Sequence, residues 1–270
     1  MNCVKITHNA GFFSCCSVLL NQIVDYINNK KKLPDIVDSS ETFKLYKNDI
    51  NRDVTNDYFE HYENIKEDYI INQRIDYRHS YQFIKYTNID YKNISPLIKK
   101  YFSPSVKINN SIDEIEKKYN IVHDNTIAVY YRGTDKFKET NIASFEEFYN
   151  QIIKIINCNN NNNNNNNNIN ILIQTDSTKF IDYIKEKNMK NIIIIAENKS
   201  SYDNKGIHYE QNNITNYQDM FYFLSTIIIM SKCKYIICSS GNCSIWTMLY
   251  RGNCENIVQY LNGQWHNNVV

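Results

Sequence analysis

A chain of 270 residues with no excess of either charge is a poor candidate for gripping polyanions: 30 lysines and arginines face 29 aspartates and glutamates, leaving a formal +1. Broad capture of nucleic acid needs a basic stripe that neutralises many phosphates, so that class is set aside. The one cationic cluster, Lys30-Lys31-Lys32, lies between a helix-like segment and Pro34 and reads as a solvated loop. Nor is there an apolar stretch of the roughly 20 residues a membrane crossing needs; the longest greasy run, Met220–Met230, falls well short. The opening residues lack the apolar core of a secretory signal, which predicts a soluble, cytoplasmic protein. No CxxC pair or histidine knuckle accompanies the eight cysteines, and Cys233, Cys238 and Cys243 have the wrong spacing for zinc, so no metal is expected. A chain of this size fills a core without staples, and the scattered thiols are expected to be reduced.

What is present is an alternation. Val4–Thr7 suits a strand, Asn9-Ala10-Gly11 a loop, and Ser14 an N-cap before a helix whose Val18, Leu19, Ile23, Tyr26 and Ile27 share a face. Ile36–Val37 adds a second strand, giving a βαβ unit. Residues 41–105 are rich in tyrosine, aspartate and lysine, with a helical rhythm at Tyr69, Ile70, Gln73 and Arg74 and two prolines bracketing a short helix near "ISPLIKKYFSPS". Ser111 is expected to cap a helix over Ile112–Tyr119.

From Thr126 onward the units become regular. Strands are predicted at Ile127–Tyr131, Ile169–Gln174, Ile192–Ala196 and Tyr235–Cys238. Helices are predicted from Ser144, where Glu147 completes a capping box, and over Ser177–Lys187, Tyr217–Met230 and Ser244–Tyr250. Continuous apolar strands alternating with helices imply a parallel sheet covered on both faces, with ligands at the carboxyl ends of its strands. The asparagine run, residues 157–168, buries nothing that could offset the entropy of ordering it and reads as a disordered insertion at the other end of the sheet.

Three strand ends on the ligand edge are polar. The first, "IAVYYRGTDKFKET", carries Arg132, Thr134, Asp135 and Lys136; the second ends in Thr175-Asp176-Ser177; the third in Ser239-Ser240-Gly241-Asn242 before a helix. Each alone has an ordinary reading, as a surface ion pair, an N-cap and a plain turn. Together they combine cations for phosphate, a carboxylate for ribose hydroxyls, and hydroxyl and N–H groups at a helix start that suit an anion.

These segments resemble a known family. Val129–Lys136, "VYYRGTDK", resembles the V-H-V-R-R-T-D-K motif of the alpha-1,6-fucosyltransferases and the H-x-R motif of the protein O-fucosyltransferases. "ILIQTDSTKFIDYIKEK" resembles their second motif, and "MSKCKYIICSSGNCSIWTMLYRG" the third, which the alpha-1,2-fucosyltransferases share with a tryptophan where Trp246 stands. The ordered set spans residues 126–250. The resemblance implies an α/β, GT-B-like chain of two Rossmann-like domains with parallel sheets. Residues 1–120 would form a reduced acceptor-side domain and residues 121–270 the nucleotide-sugar domain.

The implied activity is an inverting, metal-independent transfer of fucose, or a related sugar, from GDP-fucose to a hydroxyl of a glycan or protein. The donor is then a substrate, and no cofactor is required. On the same resemblance Arg132 holds the β-phosphate with help from Lys136 and the Ser239–Asn242 turn, Tyr130, Thr134 and Asp135 belong to the same donor motif, and Asp176 stands beside the donor. Asn9, Gly11 and Phe12 belong to the first loop, which approaches from the facing domain. Glu139 takes the place of a glutamate that could accept the acceptor's proton. Asp219 is a candidate for a guanine N–H edge, against the plainer reading of a helix-surface carboxylate. Two departures stand out: Tyr130 replaces the motif histidine and Gly133 its second arginine. They motivate the alternative of a catalytically degenerate relative that binds a sugar nucleotide or glycan without turnover.

Overall fold

The computed structural model describes residues 3–61, 72–162, 169–203, 205–207 and 212–269. Strand β1 (Cys3–Lys5) leads into helix α1 (Phe12–Lys30), which returns the chain to β2 (Ile36–Asp38), parallel to β1. Apolar residues three and four apart make one face of α1, and Leu19, Leu20, Ile23, Val24 and Ile27 are buried along it. The helix closes on Lys31 in the left-handed region (φ 53°), whose N–H bonds the Ile27 carbonyl. It opens three residues earlier than the Ser14 cap expected from sequence: Gly11 is the N-cap, and the Phe12 N–H donates to the Tyr46 hydroxyl.

The tyrosine-rich stretch forms α2 (Thr55–Tyr58), β3 (Phe59–Glu60), α3 (Tyr91–Tyr101), β4 (Ser103–Pro104) and α4 (Val106–Tyr119). Its aromatic rings are the core of this half. Phe12 of α1 lies 5.0 Å from Phe43 and 4.9 Å from Tyr58, ring centre to ring centre, in packed tilted and edge-on contacts. Three local expectations change. Pro96 sits inside α3 rather than beside it. Ser105, not Ser111, caps α4 by accepting the Ile108 N–H, while the Ser111 hydroxyl donates back to the Lys107 carbonyl. Tyr69 and Ile70 lie outside the described residues, and Gln73 and Arg74 are not helical.

The remaining strands make one sheet. In chain order the elements are β5 (Thr126–Tyr131), α5 (Phe145–Asn162), β6 (Asn170–Thr175), α6 (Thr178–Glu186), β7 (Ile192–Ile194), α7 (Asn213–Lys232), β8 (Tyr235–Ser239), α8 (Asn242–Arg251), β9 (Ile257–Leu261) and β10 (Gln264–Asn268). The strands lie in the order β10-β9-β8-β5-β6-β7, parallel throughout except for the antiparallel β9–β10 pair. The parallel α/β arrangement expected from sequence is therefore present. The added hairpin turns on Asn262 and Gly263, both at positive φ (50° and 84°), which matches the right-handed twist of the strands it joins.

Alternate residues of these strands feed two cores. Ala128, Tyr130, Leu172, Ile236 and Cys238 join a cluster with α1, α4, α7 and α8, and this cluster runs from Val4 to Ile257. Ile127, Val129, Tyr131, Ile171, Ile173 and Ile237 join Phe148 and Ile152 of α5 and Phe180 of α6 on the opposite face. At the start of α5 the capping box forms: the Ser144 N–H donates to Glu147, and the Glu147 N–H donates to the Ser144 hydroxyl. The helix continues to Asn162, six residues into the stretch read as an insertion. The rest of that stretch, 163–168, lies outside the described residues.

Helices α1 and α8 are tied together by one buried hydroxyl. Ser17 donates to Asn242 Oδ1 (2.9 Å) and accepts from Trp246 Nε1 (2.8 Å). Both Ser17 and Trp246 are fully buried. Ser17→Ala strips a partner from each of these groups and is expected to cost about 2–6 kcal/mol, at roughly 1–3 kcal/mol per abandoned group. The midpoint of urea unfolding measures it.

Candidate active site

Strand register assembles the site. Tyr131 pairs with Thr175 and Tyr130 with Cys238, so Arg132, Asp176 and Ser240 emerge side by side at the carboxyl edge of β5, β6 and β8. Asp176 then draws the β5 loop inward. It accepts the Gly133 N–H on Oδ1 and the Thr134 hydroxyl on Oδ2, both at 2.8 Å, and its Oδ2 lies 2.9 Å from Arg132 Nε. Asp135 holds the other end of the guanidinium, accepting from Arg132 Nη2 at 2.8 Å. Burial works against the charge of Arg132, but its neighbours, Asp176 foremost, more than offset it and hold the group protonated well above the ordinary range. The Arg132–Asp176 contact is an ion pair without hydrogen-bond alignment, which leaves Nε–H buried with no acceptor.

Lys136 is buried too. Its ammonium pairs with Glu139 Oε2 at 2.5 Å and stands 4.7 Å over the Phe83 ring. It also lies against Gly241, where any Cβ would sit 3.4 Å from both Cε and Nζ of the lysine. The β5 loop and the β8 turn are thus in contact.

The turn itself is engaged more than its sequence suggests. The Ser240 N–H and hydroxyl both donate to the Tyr260 carbonyl, and the Gly241 N–H donates to the Tyr86 hydroxyl. Beyond them the first turn of α8, Asn242 and Cys243, lines the cavity and has no side-chain cap, an arrangement that suits an anion.

These groups line a cavity of about 410 Å³. It gathers Tyr130, Arg132, Asp135, Lys136, Glu139, Asp176, Asp219, Ser240, Gly241 and Asn242 of the expected residues, together with Gly11 and Phe12 at the start of α1. Three expected residues do not line it. Asn9 pins its own loop, donating to the Thr7 and Glu41 carbonyls and accepting from the Lys44 N–H. Thr134 is buried on Asp176. Ser239 is buried beneath the turn. Asp176, expected to meet ribose, has both oxygens engaged by residues 132–134, so it first of all shapes the loop. Among the described residues no group of three His, Cys, Asp or Glu side chains is placed to hold a metal ion.

Sequence patterns missed the far wall. Asn198 donates to Gln174 Oε1 (2.7 Å) and Thr226 Oγ1 (2.8 Å), while its Oδ1 is buried with no partner. Lys199 pairs with Asp219 at 2.8 Å. His79 and Ser14 form another part of the wall. Asn198, Lys199 and His79 have no local signature, and that of Ser14 is an N-cap's; residues far apart in the chain put them there.

The departure at Gly133 has a steric cause. A Cβ at this position would stand 2.5 Å from Cε1 of Tyr131, whose ring is stacked on Phe180 at 4.4 Å. Gly133→Ala is expected to cost about 1–3 kcal/mol by overpacking and to weaken ligand binding by displacing the N–H held by Asp176. Chemical unfolding and nucleotide titration report the two effects.

No protein-family model matches the chain, and no curated protein matches it in sequence. Solved structures do. The alpha-1,6-fucosyltransferase NodZ soaked with GDP-fucose aligns at a TM-score of 0.56, covering 99% of each chain at 11% identity. NodZ co-crystallised with GDP aligns at 0.57, over 99% of this chain and 98% of that one, again at 11% identity. The fucosyltransferase NodZ from Bradyrhizobium aligns at 0.56 with 99% coverage of both chains and 11% identity. This chain has the GT-B-like fold of those fucosyltransferases.

Proposed function

We propose that the protein is a glycosyltransferase that moves fucose, or a related sugar, from GDP-fucose to a hydroxyl acceptor with inversion and without a metal ion. One observation carries the reading: Arg132, Lys136 and the uncapped start of α8 converge on one cavity at the carboxyl edge of the sheet. Breaking the bond from sugar to diphosphate builds negative charge on the departing β-phosphate. A fixed guanidinium, an ammonium and helix N–H groups stabilise that charge most where it is greatest, in the transition state. Glu139, half exposed beside its buried lysine partner, is the group a phosphate displaces from Lys136.

At the far wall, the unpartnered Asn198 Oδ1 and the Asp219 carboxylate are acceptors. A guanine presents donors on its N1 and N2 edge, so this wall supports a GDP donor over a UDP donor. NodZ, whose fold this is, was crystallised with GDP and soaked with GDP-fucose, which supports the same ligand.

Binding without turnover is the second reading, and Tyr130 favours it. Where the resembling motif has a histidine, this phenol is buried and pushed well above its ordinary pKa by that burial, so it adds no charge to the site.

Two measurements test these readings. In a thermal-shift panel of GDP, UDP, CMP and ADP at about 100 times Kd, GDP alone is expected to stabilise the protein by about 2.7 kcal/mol. Arg132→Ala is expected to lower GDP release from GDP-fucose about 100- to 1000-fold. Equal turnover in that variant overturns the transfer mechanism, and the absence of any nucleotide shift overturns the site.

A further inference from the structure

A histidine–serine–histidine chain stands in the wall of the cavity, away from the phosphate-binding groups. The Ser14 hydroxyl, in the first turn of α1, lies 3.0 Å from His8 Nε2 and 3.1 Å from His79 Nε2. Ser14 and His79 line the cavity; His8 stands behind them, its ring centre 5.8 Å from that of His79. The His79 backbone N–H is anchored on Asn21 Oδ1 of α1 at 3.0 Å, which fixes the ring against that helix.

A hydroxyl can donate one hydrogen bond and accept another, so two imidazoles on one serine set a direction. When His79 Nε2–H donates to Ser14 Oγ, the serine proton points to His8 Nε2. The Nδ1 of His79 is then an acceptor. That is the arrangement of a base backed by a relay. The other candidate, Glu139, is half exposed and stands beside the Lys136 ammonium, on the phosphate side of the cavity.

We infer that His79 is the general base of the reaction and that Ser14 and His8 carry the proton away from it. This rests on the transferase reading above. The acceptor oxygen, or a water in its place, attacks the anomeric carbon of the sugar. The bond from that carbon to the β-phosphate oxygen breaks, and its electron pair leaves with GDP. The acceptor's proton goes to Nδ1 of His79, the Nε2 proton passes to Ser14 Oγ, and the serine proton passes to His8 Nε2. The charge ends on His8, behind the cavity wall.

The surroundings favour neutral imidazoles. Burial lowers the pKa of His8 below its ordinary value, and burial followed by the neighbouring His8 lowers that of His79. The Cys15 thiol stands 3.5 Å from the His8 carbonyl, Asp25 of α1 pairs at 3.1 Å with Arg78, the residue before His79, and Tyr46 and Cys243 line the same cavity. The other charged side chains of the lining are Arg132, Asp135, Lys136, Glu139, Asp176, Glu197, Lys199 and Asp219. A histidine base works unprotonated, so activity falls as pH drops through its pKa, in a window below about 6.5.

The test uses GDP-fucose with water as the acceptor, so no acceptor need be known. GDP release is followed from pH 4.5 to 8.5, and GDP binding is measured alongside. His79→Gln is expected to lower kcat about 100-fold or more, to leave GDP binding unchanged, and to erase the acid limb. Ser14→Ala, which breaks the relay but keeps the base, is expected to retain the limb at reduced kcat. Glu139→Gln is expected to retain the limb as well. Unchanged kcat in His79→Gln, an acid limb that vanishes in Glu139→Gln instead, or a wild type that binds GDP and releases none from GDP-fucose each overturns the inference. A wild type that binds no GDP overturns the reading beneath it.

Discussion

The carboxylate of Asp176 sits where strand, loop and cation have to agree. A guanidinium withdrawn from water needs a counter-charge close by, and Asp176 supplies one from the neighbouring strand end while holding the Gly133 N–H and the Thr134 hydroxyl. Because β5 and β6 pair in parallel with Tyr131 opposite Thr175, the carboxylate arrives at the right height without a long loop to position it. The direction of Arg132 into the cavity, the course of the chain to Lys136 and the meeting of Lys136 with Gly241 all follow from that anchor. Asp135 shares the guanidinium, but it belongs to the same loop and cannot fix the loop to the sheet.

A second constraint brings the wall opposite into play. Helices α1 and α8 both start at the cavity; α8 has no side-chain cap, whereas the first N–H of α1, at Phe12, donates to the Tyr46 hydroxyl. Both starts bring positive dipole ends to one space. Their alignment rests on Ser17, which couples a residue near the beginning of the chain to the third strand's helix more than 220 positions later. The first segment therefore completes the site, supplying the Ser14 and His8 hydroxyl–imidazole contacts to a cavity whose cations come from the other half.

Elements whose signals are local were legible in the sequence. β5, β6 and β8 read as buried strands because both faces are covered, and the Ser144–Glu147 capping box fell where its spacing indicates. The convergence of Arg132, Lys136 and the 240–242 turn followed from strand ends alone. What could not be read depends on distant partners. Ser14 looks like a cap but bonds two histidines; the Ser240 and Gly241 N–H groups look available but are taken by Tyr260 and Tyr86. His79 lies in a tyrosine-rich stretch whose rings only make sense once packed on α1. One miss was avoidable: Asn262-Gly263 is a hairpin signal in its own right, and it builds the β9–β10 edge.

The lodging of the Lys136 ammonium against Gly241 places like charge on like charge, since the start of α8 already carries the positive end of the helix. Glu139, half in solvent, and the face of Phe83 relieve this crowding from the lysine side. On the proposed function, sulfate or inorganic phosphate from a storage solution competes for this position, so the choice of buffer sets how strongly a sugar nucleotide registers there.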